Sequence, residues 1–417
     1  MKHWKPLYSK KDNSRILNKL HELLDELFND LTQKESINFV GDKLSLSLMG
    51  GKSGISILFL YYASLTQSQK YHDAGIVLLE EIINDLETIP MDFTFARGIT
   101  GVAWTLNHLL QKEILEEDTE DLLKDFDLHI LEALKHHLKL KNYDYLYGAV
   151  GIAHYFASRL PNETATTGLN LFIKEIDKNK IIHSKGGIKF PTQTSTGEDR
   201  YNLGISHGIP AIIAVLNKLY DANIEPKTTS SLIKEACSYI LTQKLNPNKH
   251  ISIFPSVESK NGEEISNSRL GWCYGDLGIG NVLLNSANLL NLSALKQEAI
   301  EILKSSTTRI DMDTNSIFDT CFCHGTAGVA HIYNRIYQTT GDEVFRIASK
   351  YWLNKTLDLA TFEDGISGFK TFYIEDDNSE AWMKDIALLH GATGIGLSLC
   401  SAVSDSNTAW DEAFLLS

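Results

Sequence analysis

Two stretches of the chain share one pattern: "GWCYGDLGIG", residues 271–280, and "CFCHGTAGVAH", residues 321–331. Each contains a G-x-x-G step, and each places a cysteine two residues before the first glycine of that step. The cysteines are Cys273 and Cys323. A glycine step that recurs with a thiol at the same place indicates an internal repeat.

The step occurs seven times along the chain, at intervals of 47 to 67 residues. The first glycines of these repeats, numbered 1 to 7 below, are Gly51, Gly98, Gly148, Gly208, Gly275, Gly325 and Gly391. In repeat 4, Pro210-Ala211 replaces the second glycine. Each step opens an apolar run with few charges, which is typical of a helix buried on all sides. The segments between steps are amphipathic, as in helices that pack on a core with one face in water.

This alternation predicts an all-α fold, an α/α toroid (barrel) of seven inner and seven outer helices. An open solenoid of helix pairs is the weaker alternative, because the inner helices look apolar on every side. The glycines would let the starts of the inner helices crowd together where a Cβ would clash. We expect one domain over residues 1–417, with an N-terminal helix in 1–35 packing on it. Its leucines recur at helical spacing: Leu17, Leu20, Leu24, Leu27 and Leu31.

Composition excludes several classes of function. The formal net charge of −14 disfavours nucleic acid as a partner, because binding phosphates needs clustered Lys and Arg. No run approaches the ~20 apolar residues of a membrane span, and the N-terminus lacks the continuous apolar stretch of an export signal. Five cysteines in a long chain of this kind suggest a reducing compartment. We therefore expect a cytoplasmic protein with no nucleic acid partner and no membrane insertion.

We call the residue directly before each first glycine a rim residue, because a toroid would gather these positions at one end. The rim residues are Gly50, Arg97, Tyr147, His207, Tyr274, His324 and His390. Cys273 and Cys323 are equivalent in neighbouring repeats, and His324 follows Cys323 directly. Two thiolates and one imidazole suit zinc in tetrahedral geometry. Three protein ligands would leave a fourth position open, as in catalytic sites.

Other cysteines offer alternatives. Cys321 could complete a closed Cys3His site, and the metal would then be structural. The repeat register favours Cys323, because only Cys323 matches Cys273. Cys237 and Cys400 lie inside apolar helical runs and are expected to be core residues.

The remaining histidines differ in their expected roles. His207 is a candidate general acid or base, because it is a rim residue and imidazole titrates near working pH. His390 shares this register, but Leu389 stands where the ligand repeats have cysteine, so its role stays open. His154 and His331 follow the second glycines of their repeats and are expected to pack or to form hydrogen bonds within the inner helices.

"WCYG" at 272–275, "CHG" at 323–325 and "SHG" at 206–208 stand in an order that resembles the lanthionine synthetase C-like proteins, which include the cyclases of lantibiotic biosynthesis. The resemblance spans nearly the whole chain through its seven glycine steps. It implies a seven-plus-seven helical toroid that holds one zinc ion. Carried onto this chain, the zinc ligands are Cys273, Cys323 and His324, the acid/base histidine is His207, and the further active-site residues are Asp144, Arg269 and Tyr274.

The activity implied is zinc-dependent cyclisation of a peptide. Cysteine thiolates of a dehydrated precursor add to dehydroalanine or dehydrobutyrine and form (methyl)lanthionine thioether rings. The implied partners are a precursor peptide with its leader and the cognate dehydratase and transporter. The sequence departs from the family pattern at Pro210-Ala211 and in long polar segments before repeats 4 and 5, at 183–202 and 246–268. These departures concern the local shape and the peptide-docking surface.

Three other functions are alternatives to the cyclase. A zinc-stabilised peptide- or thiol-binding scaffold would use the same ligands without cyclase activity. Protein prenyltransferases are also helical toroids with zinc, but they usually employ an Asp-Cys-His set. Inverting glycosidases need two carboxylates facing each other across a cleft, and the rim positions supply no such pair.

Overall fold

The computed structural model of the chain describes residues 4–9, 11–33, 44–86, 88–115, 119–191, 201–258, 265–375 and 377–417. The polar segments before repeats 4 and 5 include 192–200 and 259–264, which lie outside the described residues. The α-helices are α1 Ser14–Gln33, α2 Lys52–Thr66, α3 Gln69–Leu86, α4 Ile99–Gln111, α5 Glu120–Lys139, α6 Ala149–Ser158, α7 Glu163–Asn179, α8 Ile209–Asp221, α9 Pro226–Leu241, α10 Asp276–Leu289, α11 Ser293–Ser306, α12 Thr326–Thr340, α13 Glu343–Asp358 and α14 Ala392–Val403. The other elements are β1 Ile181–Ile182, β2 Ile188–Lys189, β3 Thr371–Ile374, β4 Glu380–Met383 and the 3-10 helix Ala409–Phe414.

Every glycine step starts a helix. The seven inner helices are α2, α4, α6, α8, α10, α12 and α14, and each begins at the residue directly after the first glycine of its repeat. They are buried nearly all round; in α6 every residue from Ala149 to Phe156 is buried. The outer helices between them bury one face only, as α3 does with Tyr71, Leu78 and Ile82. The all-α prediction, with buried and amphipathic helices in alternation, is confirmed.

Contacts between residues divide the chain into two compact units. Unit 1 comprises residues 1–91 and 311–415 with Ser417, and unit 2 comprises residues 92–310 with Leu416. The expectation of a single domain over the whole chain stays a prediction.

Unit 1 contains repeats 1, 6 and 7. Its inner helices contact one another in the order α12, α14, α2, and outer helices α13 and α3 pack on α12 and α2. The outer partner of α14 is the N-terminal helix α1. Leu20, Leu24 and Leu27 on α1 are fully buried, whereas Leu17 and Leu31 are only partly covered. The amphipathic N-terminal helix therefore supplies the outer helix that the seventh repeat does not provide itself.

Unit 2 contains repeats 2 to 5. Its inner helices contact one another in the order α4, α6, α8, α10, and each packs on the outer helix that follows it, α5, α7, α9 and α11 respectively. A short antiparallel hairpin of β1 and β2 lies against α9. Across the described residues of both units, every helix is too short or too polar to cross a lipid bilayer.

The two glycines of a step have different steric roles. A Cβ on the first glycine would meet the loop of its own repeat: at Gly51 it would lie 1.9 Å from the Ser45 carbonyl oxygen. In repeats 1, 3, 5 and 7, a Cβ on the second glycine would also meet a neighbouring repeat. At Gly394 it would lie 2.3 Å from the Leu388 carbonyl oxygen and 2.8 Å from Phe322 Cβ of repeat 6. The expected crowding between repeats is thus present in these four repeats, where the second glycine relieves it.

Candidate active site and metal-binding cluster

One loop conformation precedes the inner helices. Six residues before the first glycine, six of the repeats have a Ser, Asp or Asn whose side chain accepts the N–H two residues on: Ser45, Asp92, Asn142, Asn202, Asp319 and Asp385. In repeat 3 the Asn142 carbonyl also accepts the Ala149 N–H at 2.9 Å, at the start of α6. Such Asx and Ser turns fix the backbone locally. The loop therefore sets where the residues before each glycine lie.

Repeat 5 builds this loop differently. Arg269 stands at the turn position, and Gly275 has φ +98, which is the left-handed region open to glycine. The loop is held instead by the buried Asp276 carboxylate, which accepts the N–H groups of Ile253 and Phe254 at 3.0 Å and an Arg309 N–H at 2.7 Å. The half-buried Arg269 side chain is thus not needed for the turn.

Backbone hydrogen bonds align neighbouring repeats two residues before each first glycine. Within unit 1, the Cys323 N–H donates to Leu389 O and the Leu389 N–H donates to Met49 O, both at 3.0 Å. Within unit 2, the Ala96 N–H donates to Leu146 O at 2.9 Å and the Ser206 N–H donates to Cys273 O at 3.5 Å. We call these bonds the rim ladder. Equivalent positions of adjacent repeats are therefore side by side within each unit.

The rim side chains that follow the ladder contact one another. In unit 2 the Arg97 guanidinium lies 5.4 Å from the centre of the Tyr147 ring, which stacks on His207 at 6.1 Å. In unit 1 the rings of His324 and His390 are 5.4 Å apart. Within the units, these contacts group Arg97, Tyr147 and His207, and pair His324 with His390; convergence of all seven rim residues stays a prediction.

His207 is held by Asp144. The Asp144 carboxylate accepts the Tyr147 N–H through Oδ1 at 2.8 Å, and its Oδ2 lies 2.7 Å from His207 Nδ1. Because Nδ1 donates to the carboxylate, Nε2 is the ring nitrogen left for proton exchange. Burial lowers the pKa of His207, but the hydrogen bond and charge of Asp144 and the charge of Cys273 outweigh it, so the pKa is raised. The Asp144 carboxylate thus favours the protonated form of His207.

Tyr274 lies next to the same histidine–carboxylate pair. Its hydroxyl accepts a hydrogen bond from Asn202 Nδ2 at 3.0 Å, and Asn202 Oδ1 accepts the Gly204 N–H at 2.8 Å. Burial raises the pKa of Tyr274, and the charges of Cys273, Asp144 and Arg269 also act on it. Tyr274 therefore keeps its proton at neutral pH. Unit 2 thus brings Asp144, His207, Cys273, Tyr274 and Arg269 into one neighbourhood.

Unit 1 contains a group of side chains able to hold a metal. One ligand atom each from Cys323, His324 and His390 lies within 4.8 Å of the other two. Cys323 is buried, and the two histidines are partly exposed. Thiolate and imidazole are ligands that zinc prefers.

A second group shares His324 and is more closed. It consists of Asp319, Cys321 and His324, and its first two members are buried. Cys321 Sγ lies 3.2 Å from His324 Nδ1. Both Asp319 oxygens already accept backbone N–H groups at 3.0 Å, from Cys321 and from Phe372 on β3. A metal-bound histidine commonly has a hydrogen-bond partner on its other nitrogen, and Cys321 occupies that place for His324.

The structure places the predicted site residues in two groups. Cys323 and His324 lie together in unit 1, whereas Cys273 lies in unit 2 with Asp144 and His207. Zinc binding by Cys273, Cys323 and His324 as a set stays a prediction, as do the catalytic roles. Sequence reasoning missed Asn202, which bonds Tyr274. Its position six residues before a first glycine, shared by other Asx residues, was the available signal.

The expected core residues are found in the core. None of the five cysteines, all within the described residues, forms a disulfide. Cys237 and Cys400 are buried, and burial raises the pKa of Cys237 to about 12. His154 lies among the buried rings of Phe95, Trp104 and Tyr145.

His331 belongs to a buried cluster with the ion pair of Asp411 and Arg335. Its Nε2 lies 2.7 Å from Asp411 Oδ2, and Arg335 donates two hydrogen bonds to the same carboxylate. Although burial raises the pKa of Asp411, Arg335 and His331 bring it down to about 2. Burial lowers the pKa of His331, which is therefore neutral and donates from Nε2. The predicted hydrogen-bonding role of His331 is confirmed.

Comparison with known proteins identifies the family. The family model described as lanthionine synthetase C-like protein matches residues 42–415. The chain belongs to the lanthionine synthetase C-like family.

Two relatives share nearly the full length of the chain. The nisin biosynthesis protein NisC of Lactococcus lactis subsp. lactis is 23% identical over 394 residues, which cover 87% of this chain and 91% of NisC. The solved structure of nisin cyclase matches with a TM-score of 0.75 at 18% identity, covering 96% of this chain and 97% of that one. This similarity shows the fold and confirms the prediction of an α/α toroid.

Proposed function

We propose that this chain is a lanthionine-forming cyclase. It adds cysteine thiols of a dehydrated precursor peptide to dehydroalanine or dehydrobutyrine, forming thioether rings. Family membership and the similarity to a protein named nisin cyclase support this reaction. The observation that carries it is the 2.7 Å hydrogen bond from His207 Nδ1 to Asp144, beside Cys273, because it equips the chain for proton transfer next to a thiol site.

Zinc is the cofactor in this proposal, with Cys273, Cys323 and His324 as its ligands. The donor chemistry fits, because Cys323 and His324 already lie within one group of ligand atoms less than 4.8 Å apart. Cys273 is included on its repeat register and on the family resemblance. When bound, zinc would supply one effect: it would lower the pKa of an incoming thiol from ~8.5, so that the sulfur is nucleophilic at neutral pH.

His207 provides the proton that the reaction needs. Addition of sulfur to the β-carbon forms the C–S bond and moves the π electrons of the alkene toward the carbonyl oxygen, leaving an enolate. The α-carbon then takes a proton from Nε2 of His207, and the ring closes without change in mass. Asp144 holds the ring through Nδ1 and stabilises its protonated form. His207 regains its proton from the next thiol.

Arg269 and Tyr274 stabilise the charge that develops on the enolate oxygen. A positioned cation and a neutral hydroxyl are the groups that lower the energy of such an oxyanion. Asn202 positions the Tyr274 hydroxyl. The substrate must come from a dehydratase, because the reaction requires alkenes made from Ser or Thr. This partner, the transporter and a cytoplasmic location stay predictions.

The test is a cyclisation assay with purified protein, zinc and a dehydrated precursor peptide. Ring formation is measured as thiols that can no longer be alkylated while the peptide mass stays constant. His207→Ala should abolish cyclisation and keep the zinc. Cys273→Ala should lose stoichiometric zinc as well. If the wild-type protein binds peptide and zinc but consumes no thiols, the scaffold alternative replaces the cyclase.

A further inference from the structure

His390 is the one rim histidine to which the proposed reaction gives no role. It stands directly before Gly391, as His324 stands before Gly325, and the rim ladder joins their repeats through the Cys323 N–H and Leu389 O at 3.0 Å. Its ring lies 5.4 Å from that of His324. The backbone is fixed from the other side, because Thr371 Oγ1 on β3 donates to His390 O at 2.6 Å. Backbone hydrogen bonds therefore hold His390 next to the proposed zinc ligands Cys323 and His324.

The geometry points to His390 as a fourth zinc ligand in the peptide-free protein, one that leaves when the substrate thiol arrives. The inference rests on the proposed function. Two atoms bound ~2.0–2.3 Å from one tetrahedral ion lie roughly 3.3–3.8 Å apart. The ligand atoms of Cys323, His324 and His390 lie within 4.8 Å of one another, so small side-chain rotations bring all three to one ion. Together with Cys273, which the proposed function adds on its repeat register, these residues would supply four ligands for a tetrahedral zinc.

The chemistry of the ligands explains why the substrate thiolate would replace His390 on the ion. The ion can lower the pKa of the substrate thiol only if a coordination position is open for the sulfur, so one protein ligand must leave. The His390 imidazole is partly exposed and would bind the ion as an uncharged donor, and a thiolate attracts the divalent cation more strongly than an uncharged nitrogen does. His324 is tied through Nδ1 to Cys321 and stays. In the exchange, the bond from the ion to the His390 nitrogen would break, a bond to the substrate sulfur would form, and the thiol proton would pass to His207.

A fourth protein ligand would let the site distinguish a cysteine of the docked precursor from small thiols in solution. A fourth protein ligand competes with every small thiol in the surroundings. A cysteine of a docked precursor has an effective concentration in the millimolar range and displaces it. If His390 occupies the position about nine-tenths of the time, small thiols bind about tenfold more weakly than they would without it.

X-ray absorption at the zinc edge of the full-length zinc protein tests this proposal, because it counts sulfur and imidazole ligands. We expect two sulfurs and two imidazoles in the wild type. His390→Ala should show two sulfurs, one imidazole and an oxygen. His129→Ala, at an exposed histidine of α5, is the matched control and should keep both imidazoles. Adding 2-mercaptoethanol to the wild type should replace one imidazole by a third sulfur. In cobalt-substituted protein, His390→Ala should bind this thiol about tenfold more tightly.

Several results would overturn the proposal. One imidazole and an oxygen in the peptide-free wild type would remove His390 from the site and leave the proposed cyclase intact. Two imidazoles that persist with saturating 2-mercaptoethanol would make His390 permanent and refute the exchange. A sulfur count that falls in Cys321→Ser would place the metal with Asp319 and Cys321, against both proposals. The number of imidazole ligands in the wild type tests the proposal even if His390→Ala does not fold. His390→Gln provides a second variant.

Discussion

Asp144→Asn is expected to slow cyclisation by about 10²–10⁴-fold, the usual contribution of general acid–base catalysis. The reason lies in the two hydrogen bonds of the carboxylate. Oδ1 accepts the Tyr147 N–H at 2.8 Å, and only the oxygen of an asparagine amide can replace it. The amide NH2 then faces His207 Nδ1, where a carboxylate oxygen now lies at 2.7 Å. Nδ1 must become an acceptor, and protonated His207 loses its stabilising partner.

The loss corresponds to about 2.7–5.5 kcal/mol of transition-state stabilisation. Little of it should appear in folding, because a partly exposed ion pair contributes about 1 kcal/mol or less, and the two side chains are 30% and 18% exposed. Zinc content and urea unfolding should therefore stay close to wild type. The variant also loses the hydrogen bond and the charge of Asp144, both of which raise the pKa of His207, so its rate should fall at lower pH than the wild-type rate as pH rises.

The assay is single-turnover cyclisation of a dehydrated precursor, with alkylation of the remaining thiols read by mass spectrometry. Asp121→Asn is the control, because it makes the same chemical change at a fully exposed carboxylate of α5. A rate for Asp144→Asn within about threefold of Asp121→Asn would refute proton transfer by the His207–Asp144 pair.

Three further outcomes are expected. Cys321→Ala should keep one zinc but weaken its binding about 10–100-fold, because it removes the partner of His324; lost stoichiometry would make Cys321 a ligand instead. Gly394→Ala should destabilise unit 1 by about 1–3 kcal/mol in urea unfolding, and a neutral result would contradict the steric account. Stability should fall as pH drops below about 6.5, because neutral His331 gains a proton only on unfolding, and again between about pH 4 and 2 through Asp411. His331→Gln should reduce the first loss, to which His137 also contributes because burial lowers its pKa, and urea midpoints that do not change between about pH 7.5 and 5.5 would contradict it.

The helices were predictable because the same sequence pattern, a glycine step followed by an apolar run, occurs in every repeat. Each first glycine stands one residue before an inner helix, and apolar runs such as 149–156 are buried throughout. The outer helix of repeat 7 was harder, because it comes from α1 at the other end of the sequence. No local pattern says which outer helix pairs with α14. The pairing depends on long-range packing.

The sequence predicted which residue types form the site, but not all of the hydrogen-bond partners that hold them. The rim register singled out His207, His324 and His390, and in each unit rim residues do lie side by side. It did not show that Asn202 holds Tyr274. A hydrogen bond between residues 72 apart depends on the path of two loops, and the Asx signal reports only the local turn.

The pairing of α1 with α14 has a consequence for folding during synthesis. Unit 2 is nearly continuous in sequence, so almost all of it has been synthesised before residue 311. Unit 1 joins residues 1–91 to residues 311–415. The face of α1 that packs on α14 therefore has no partner until nearly the whole chain has been translated, although Phe28 of α1 already contacts Tyr71 of α3. At a synthesis rate of roughly 5–20 residues per second, that delay is tens of seconds, long enough for chaperones to bind this face.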